Sequence, residues 1–152
     1  GTENTAGIVG CGKAAELAGE RLKEMNVRIP HLRDRLSEGI SRLVPEMKFN
    51  GHPTHRLPNT LNVSLPGIRG ESLVFSLDQK GVSFSSGSAC RSGSPNPSHA
   101  LLAMGLSEEE AHCALRFSLG IGNTEGQIKR TVDLMAEVIR ESTSTLRFAP
   151  CR

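Results

Sequence analysis

Cys90 is the side chain of this sequence with the plainest capacity for chemistry. It lies within residues 85–98, a stretch that contains six serines, two glycines and two prolines. This composition predicts an exposed, mobile loop instead of a packed element. The thiolate is the reactive form of a cysteine, and the adjacent Arg91 would favour it. The residues leave two explanations open, a nucleophilic thiol or an inert cysteine in a loop.

Arg116 is the second candidate for a functional side chain. It stands between Leu115 and Phe117 in an alternating segment, so its side chain should point away from theirs. An arginine held on a strand presents a planar fork that can bind a carboxylate through two hydrogen bonds. A solvent-facing or ion-paired arginine is the more ordinary explanation of the same pattern.

The remaining cysteines and the histidines give weaker signals. No two cysteines form a C-x-x-C pair, which argues against a metal or redox site. Cys113 is expected beside a core strand and Cys151 in the C-terminal tail. His52 and His55 flank a proline in a loop, so a solvated loop is favoured over a metal pair. Structural roles are also favoured for His99 and His112.

Composition and charge exclude several classes of partner. The net charge is +2 with both signs interspersed, which gives no electrostatic case for nucleic acid or an anionic membrane. No apolar run approaches the roughly 20 residues that span a bilayer, and no signal-peptide pattern opens the chain. The expected compartment is therefore the cytoplasm. With five Phe and neither Trp nor Tyr, the core must be aliphatic.

Apolar periodicity predicts two helices near the start of the chain. One stripe recurs at steps of three and four over residues 4–25 and places Cys11 against a core. A second stripe occupies residues 32–43. Asn26 is expected to end the first helix and Pro30 to begin the second, because the fixed φ of proline suits a first helical turn.

The rest of the chain alternates between short strands and helices. Period-two alternation predicts the strands, and S/T-x-x-E/Q capping boxes open two of the helices. The predicted strands are residues 47–50, 60–65 and 114–119 with another beginning at Val82 and Phe84, and the predicted helices are 71–79, 99–104, one opened by Ser107 with Glu110 and one opened by Thr124 with Gln127. This order predicts an α+β, two-layer domain in which helices cover one face of a small, mostly antiparallel sheet.

Five blocks of the sequence resemble those of the cysteine desulfurases, within the class V aminotransferase family. They occur in the family's order and span nearly the whole chain. The blocks are residues 1–4 (GTEN), 57–64 (LPNTLNVS), 70–73 (GESL), 85–90 (SSGSAC) followed by 92–94 (SGS), 97–99 (PSH) and 103–107 (AMGLS), and 116–120 (RFSLG). The long segment around Cys90 is similar to that of the NifS/IscS group.

The resemblance implies a pyridoxal-phosphate (PLP) enzyme that removes sulfur from L-cysteine, leaving L-alanine and a persulfide on the enzyme. It identifies Cys90 as the nucleophile and Arg116 as the residue that binds the substrate carboxylate. Thr2 matches a threonine that reaches the PLP phosphate of the other subunit in a homodimer. The persulfide would pass to a sulfur acceptor or an iron–sulfur scaffold protein.

The resemblance also implies that part of such an enzyme is missing from this chain. The family's Schiff-base lysine follows a Ser-His pair in a large N-terminal domain, and no lysine here has that context. Residues 1–26 are then expected to be a bridging helix from the large domain. Residues 27–142 would form the C-terminal small domain of the fold-type I PLP-dependent transferase fold, and 143–152 a frayed tail. The chain alone is expected to bind no PLP and to be inactive.

Two departures and two alternatives accompany this interpretation. Arg91 stands where the family often has threonine, and Ile121 where it often has arginine after the glycine. Both could alter the choice of acceptor. One alternative is a stand-alone persulfide carrier that receives sulfur on Cys90 without PLP. The other is a fragment of a selenocysteine lyase, which shares the scaffold.

Overall fold

The structure, a computed structural model, describes residues 2–87 and 96–145, with side chains described as far as Glu141. Residues 88–95 of the predicted loop, with Cys90, and the tail with Cys151 lie outside these residues. The loop prediction is wrong at Ser85 and Ser86, which form a short strand because they pair with neighbouring backbone. The elements are α1 (Thr5–Leu43), β1 (Lys48–Phe49), β2 (Thr60–Ser64), α2 (Gly70–Asp78), β3 (Ser85–Ser86), α3 (His99–Ala103), α4 (Glu108–His112), β4 (Ala114–Ser118) and α5 (Glu125–Thr145).

Four strands form one antiparallel sheet in the order β1-β2-β4-β3. Its centre is the five-residue pairing of β2 with β4, in which Leu61 faces Phe117 and Val63 faces Leu115. These four side chains are buried and belong to one core shared with the helices α1, α2 and α5. The predicted α+β fold, an antiparallel sheet with helices, is confirmed. The helices are not confined to one face, because α3 and α4 pack on Ala114 at one end of the opposite face.

The prediction of two helices near the start of the chain is wrong. α1 is a single helix of 39 residues that continues through Asn26 and Pro30. A proline in a helix interior removes one backbone hydrogen bond and costs about 3 kcal/mol. Contacts on both sides of the proline offset this cost, because Ile29 and Leu32 are buried in the core. The guanidinium of Arg28 also donates to the backbone carbonyls of Ile121 and Asn123.

The expected burial of the first stripe of α1 is wrong as well. Residues 5–24 are all exposed, and Cys11 with them. Helix lengths explain this, because 39 residues of α1 extend about 58 Å whereas the 21 residues of α5 extend about 32 Å. α5 and the sheet cover α1 only from about Met25 onward. Within the described residues, no helix combines the length and apolar character needed to cross a bilayer.

Two further element boundaries differ from the sequence-based prediction. Val82 and Phe84 pack against the core but precede the strand, because the N–H of Val82 donates to the carbonyl of Leu77 and closes the end of α2. Gly81 makes this turn possible with a φ of 79°. α5 continues to Thr145, three residues past its predicted end.

α1 and α5 approach closely at Gly39. A Cβ at this position would lie 2.5 Å from Cγ2 of Val132 on α5. Valine is stiff about χ1, so it cannot easily turn away. The absence of a side chain at position 39 therefore sets the distance between the two helices.

We predict that Gly39→Ala lowers the free energy of unfolding by about 1–3 kcal/mol through overpacking. Gly19→Ala is the matched control, since nothing lies within 4 Å of a Cβ there and alanine is the better helix former. Urea unfolding of the two variants measures the difference. Equal stability of both variants would contradict the close approach, whereas recovery of stability in Gly39→Ala/Val132→Ala would support it.

Candidate functional site

The sheet face opposite the core is polar and carries Arg116. Residues directly opposite each other on paired strands share a face. Arg116 faces Asn62 on β2 and Ser85 on β3. We call this surface the polar face; it consists of Lys48, Asn50, Thr60, Asn62, Ser64, Ser85, Arg116 and Ser118.

Strand alternation places Arg116 on this face. Its neighbours Leu115 and Phe117 are buried on the core side, whereas Arg116 is partly exposed. The ring of Phe117 stacks on that of Phe84 with centroids 4.7 Å apart, which packs the chain leading into β3 against β4 on the core side. The strand prediction for this segment is confirmed, and with it the opposed directions of the arginine and its neighbours.

The guanidinium of Arg116 has no counterion in the part of the chain that the structure describes. No described residue forms a hydrogen bond or an ion pair with it. An arginine is always charged and offers five N–H donors in a fixed geometry. The polar face therefore presents a positive, hydrogen-bonding group that a carboxylate could neutralise.

A chain of hydrogen bonds crosses the polar face beside Arg116. Nδ2 of Asn50 donates to Oδ1 of Asn62 at 2.8 Å and to Oγ of Ser64 at 2.9 Å. Ser64 is almost fully buried, and its hydroxyl donates to the backbone carbonyl of Glu110 at 2.9 Å. This chain ties β1 and β2 to α4 and holds their polar side chains in fixed directions.

The helices α3 and α4 bound one end of the polar face. Leu101 of α3 and Ala111 of α4 bury themselves against Ala114, which lies on the same side of β4 as Arg116. α4 begins with a complete capping box between Ser107 and Glu110, as predicted. β3 and α3 thus both border the polar face, and the sequence between them contains Cys90.

A cavity of about 320 Å³ lies at the edge of the sheet next to α4. Its lining includes Ser64, Cys113 and an ion pair between Lys48 Nζ and Glu110 Oε1 at 2.6 Å. Cys113 is buried at the start of β4, which confirms its predicted place beside a core strand. The polar groups at this edge bond to one another, so the cavity is less suited than the Arg116 region to bind an anion.

The other residues proposed from the sequence fall elsewhere. Cys90 lies outside the described residues. Thr2 is exposed and precedes the exposed part of α1, of which the segment from Thr5 to Ile29 extends about 36 Å. The structure therefore does not bring Thr2 to the polar face of its own chain. His52 Nδ1 accepts backbone N–H groups of its loop.

Sequence reasoning missed Asn50, Asn62 and the Lys48–Glu110 pair. The alternating pattern of β2 already predicts that Asn62 points away from the core. Only the pairing of β2 with β4 places its side chain beside Arg116. No signal in the sequence indicates which two strands pair. In the described ranges, no group of three His, Cys, Asp or Glu is placed to hold a metal ion.

Similarity to known proteins identifies the family of this chain. Residues 1–131 match the family described as aminotransferase class-V. The chain belongs to this family. A cysteine desulfurase IscS of Clostridium botulinum is 49% identical over 142 residues, which are 92% of this chain and 36% of that protein. A cysteine desulfurase IscS of Methanosarcina thermophila is 47% identical over 150 residues, which are 99% of this chain and 37% of that protein.

Solved structures agree with these relatives. A NifS-like protein superposes with a TM-score of 0.81 at 33% identity, over 93% of this chain and 35% of its own. A NifS-like protein from Rickettsia africae gives 0.80 at 28% identity, over 92% and 36%. The resemblance to the NifS/IscS-like group is confirmed. The chain spans little more than a third of the length of the curated relatives it matches.

The aminotransferase class-V family is PLP-dependent, and PLP enzymes hold the cofactor through a lysine Schiff base. Lys48 forms an ion pair with Glu110, and Lys80 forms an ion pair with Glu137 at 2.8 Å. The three other lysines are exposed on helices α1 and α5: Lys13, Lys23 and Lys129. None of the five shares the middle of the polar face with Arg116.

The Lys48–Glu110 pair predicts a measurable pH dependence. The hydrogen bond from Lys48, followed by those from Ser107, lowers the pKa of the Glu110 carboxyl from its usual value of 4.5 to about 2. A lowered pKa in the folded state stabilises the protein above the unfolded value, and this stabilisation is lost as the pH falls towards 2.

We expect Glu110→Gln to destabilise the protein most above about pH 4.5, with the difference from wild type vanishing near pH 2. Glutamine retains the capping box, so the variant isolates the charge. Urea unfolding across this pH range measures the effect. A difference in unfolding free energy that stays constant from pH 6 to pH 2 would contradict this role of Glu110.

Proposed function

We propose that this chain is the C-terminal part of a PLP-dependent cysteine desulfurase, contributing the substrate-carboxylate site and the sulfur-accepting thiol. The observation that carries the proposal is Arg116, a fixed cation without a described counterion on a face bordered by β3 and α3. Those two elements flank the sequence that contains Cys90. The similarity to proteins named cysteine desulfurase IscS supports the same activity.

Cys90 is proposed to attack the sulfur of bound L-cysteine as a thiolate. The new bond joins its Sγ to the substrate sulfur while the substrate Cβ–S bond breaks. The substrate carbon keeps the electron pair and takes up a proton, which gives L-alanine and leaves a persulfide on Cys90. Ser85 is five residues before Cys90, so the covalent chain keeps the two Cα atoms within about 18 Å.

Arg116 is proposed to bind the substrate carboxylate through paired hydrogen bonds. A planar fork on a rigid strand fixes both the position and the orientation of a carboxylate, which in turn orients the sulfur. The flanking Asn62 and Ser85 are small, polar and of no charge, so they leave the cation accessible.

The remaining elements of the proposal concern the whole protein. Residues 1–26 are proposed to connect to a larger domain that holds PLP, and the exposed stripe of α1 supports this. The distance along α1 between Thr2 and the core supports a role for Thr2 at the PLP phosphate of the other subunit in a homodimer. The acceptor is proposed to be a sulfur-acceptor or iron–sulfur scaffold protein, and the compartment the cytoplasm.

For Cys90, we predict that Cys90→Ser in the complete protein lowers alanine formation from L-cysteine by at least about 100-fold, because a hydroxyl is a far weaker nucleophile than a thiolate. Cys151→Ser, which alters a thiol in the predicted C-terminal tail, should keep wild-type activity. Alanine release measures the breaking of the substrate Cβ–S bond. The mass of the Cys90 peptide measures the formation of the persulfide.

Wild-type alanine formation by Cys90→Ser would refute the nucleophile assignment. A sulfur adduct on Cys90 that forms from a sulfur donor while L-cysteine yields no alanine would favour the stand-alone carrier.

For Arg116, we predict that Arg116→Lys lowers kcat/KM for L-cysteine by about 10- to 100-fold, mainly by raising KM. Lysine keeps the charge but loses the paired hydrogen bonds. Arg35→Lys is the matched control, since Arg35 forms an exposed pair with Glu125 and should leave both constants unchanged. An unchanged KM in Arg116→Lys would exclude the carboxylate contact.

A further inference from the structure

Asn62 is the direct cross-strand neighbour of Arg116. Residues opposite each other in an antiparallel pair have Cβ atoms about 4.5–5.5 Å apart. Asn62 is partly exposed on the polar face, as Arg116 is. A ligand group bound to the guanidinium therefore comes within reach of the Asn62 amide.

The direction of the Asn62 amide follows from its hydrogen-bond partners. The carbonyl of Glu110 can only accept, so the Ser64 hydroxyl must donate to it. Ser64 Oγ then accepts from Asn50, which must present its NH₂ group. The same NH₂ group also donates to Asn62, so Asn62 must present its oxygen towards Asn50.

The Asn62 NH₂ group consequently points away from Asn50. No hydrogen bond joins Asn62 Nδ2 to another residue within the described ranges, so its two N–H donors lie on the same face as the cation of Arg116. A guanidinium and an amide NH₂ side by side are complementary to an anion with two oxygens.

We propose that Asn62 is a second donor to the substrate carboxylate held by Arg116, and that Asn50 is the positioning residue that keeps the Asn62 NH₂ group turned towards it. This inference rests on the proposed function and adds a specificity determinant to its carboxylate site. Glu110, Ser64 and Asn50 form a relay that fixes the amide without touching the substrate.

The test uses three variants of the complete protein. Asn62→Ser keeps an uncharged oxygen that can accept a hydrogen bond but removes the NH₂ group, and it places no new charge beside Arg116. Asn50→Asp can no longer donate to Asn62 and would draw the Asn62 NH₂ group towards itself. Asn26→Asp makes the same chemical change at an exposed position of α1.

KM and kcat are measured for L-cysteine and for cysteamine, which has the thiol and amine of cysteine but no carboxylate. We expect Asn62→Ser to raise KM for L-cysteine by about 10- to 100-fold and Asn50→Asp by a smaller factor, with kcat less affected. Neither change should lower the activity towards cysteamine, however small that is. Asn26→Asp should match wild type.

The outcomes separate the two proposals. If Arg116→Lys raises KM for L-cysteine but Asn62→Ser and Asn50→Asp do not, the inference is overturned while the proposed function stands. Equal losses on L-cysteine and cysteamine would also overturn it, because a structural defect would affect both. If the complete wild-type protein forms no alanine from L-cysteine, the proposed function and this inference fail together.

Discussion

The pairing of β2 with β4 is the interaction on which the rest of the structure depends. It sorts side chains into two sets, because successive residues of a strand point to opposite faces. Leu61, Val63, Leu115 and Phe117 enter the core, while Asn62 and Arg116 meet on the other side. A slip of one residue would exchange these sets, exposing leucines and burying a charge. The burial of the aliphatic face therefore also fixes the register that places an amide beside a guanidinium.

Helices reinforce this arrangement from the core side and leave the opposite side open. α1, α2 and α5 close over the sheet, and glycines permit two of the closest approaches. A Cβ on Gly39 would meet Val132, and one on Gly70 would lie 2.8 Å from the carbonyl of Ala114. α3 and α4 cover only the Ala114 end of the polar face. In the described part of the chain, the middle of that face is not covered by a helix.

The electrostatics of the polar face distinguish two kinds of polar group. At its edge, Lys48 forms an ion pair with Glu110. Asn50 donates a hydrogen bond to Ser64, whose hydroxyl donates to the carbonyl of Glu110. In its middle, Arg116 and the Asn62 NH₂ group have no described partner of their own. This contrast supports the proposed role of the arginine over a purely structural one.

The sequence by itself determined the strands at 60–64 and 114–118, the capping of α4, the fold class and the family, since each follows from local periodicity or from contiguous motifs. The predicted helix boundary near Pro30 is wrong, because the burial of side chains on either side outweighs the local helix-breaking effect of the proline. The predicted burial of Cys11 is wrong because an apolar stripe on a helix does not indicate which element packs against it. Only the tertiary structure brought Asn62 to Arg116 and Asn50 to Asn62, because strand pairing joins residues far apart in sequence and no local pattern encodes the partner.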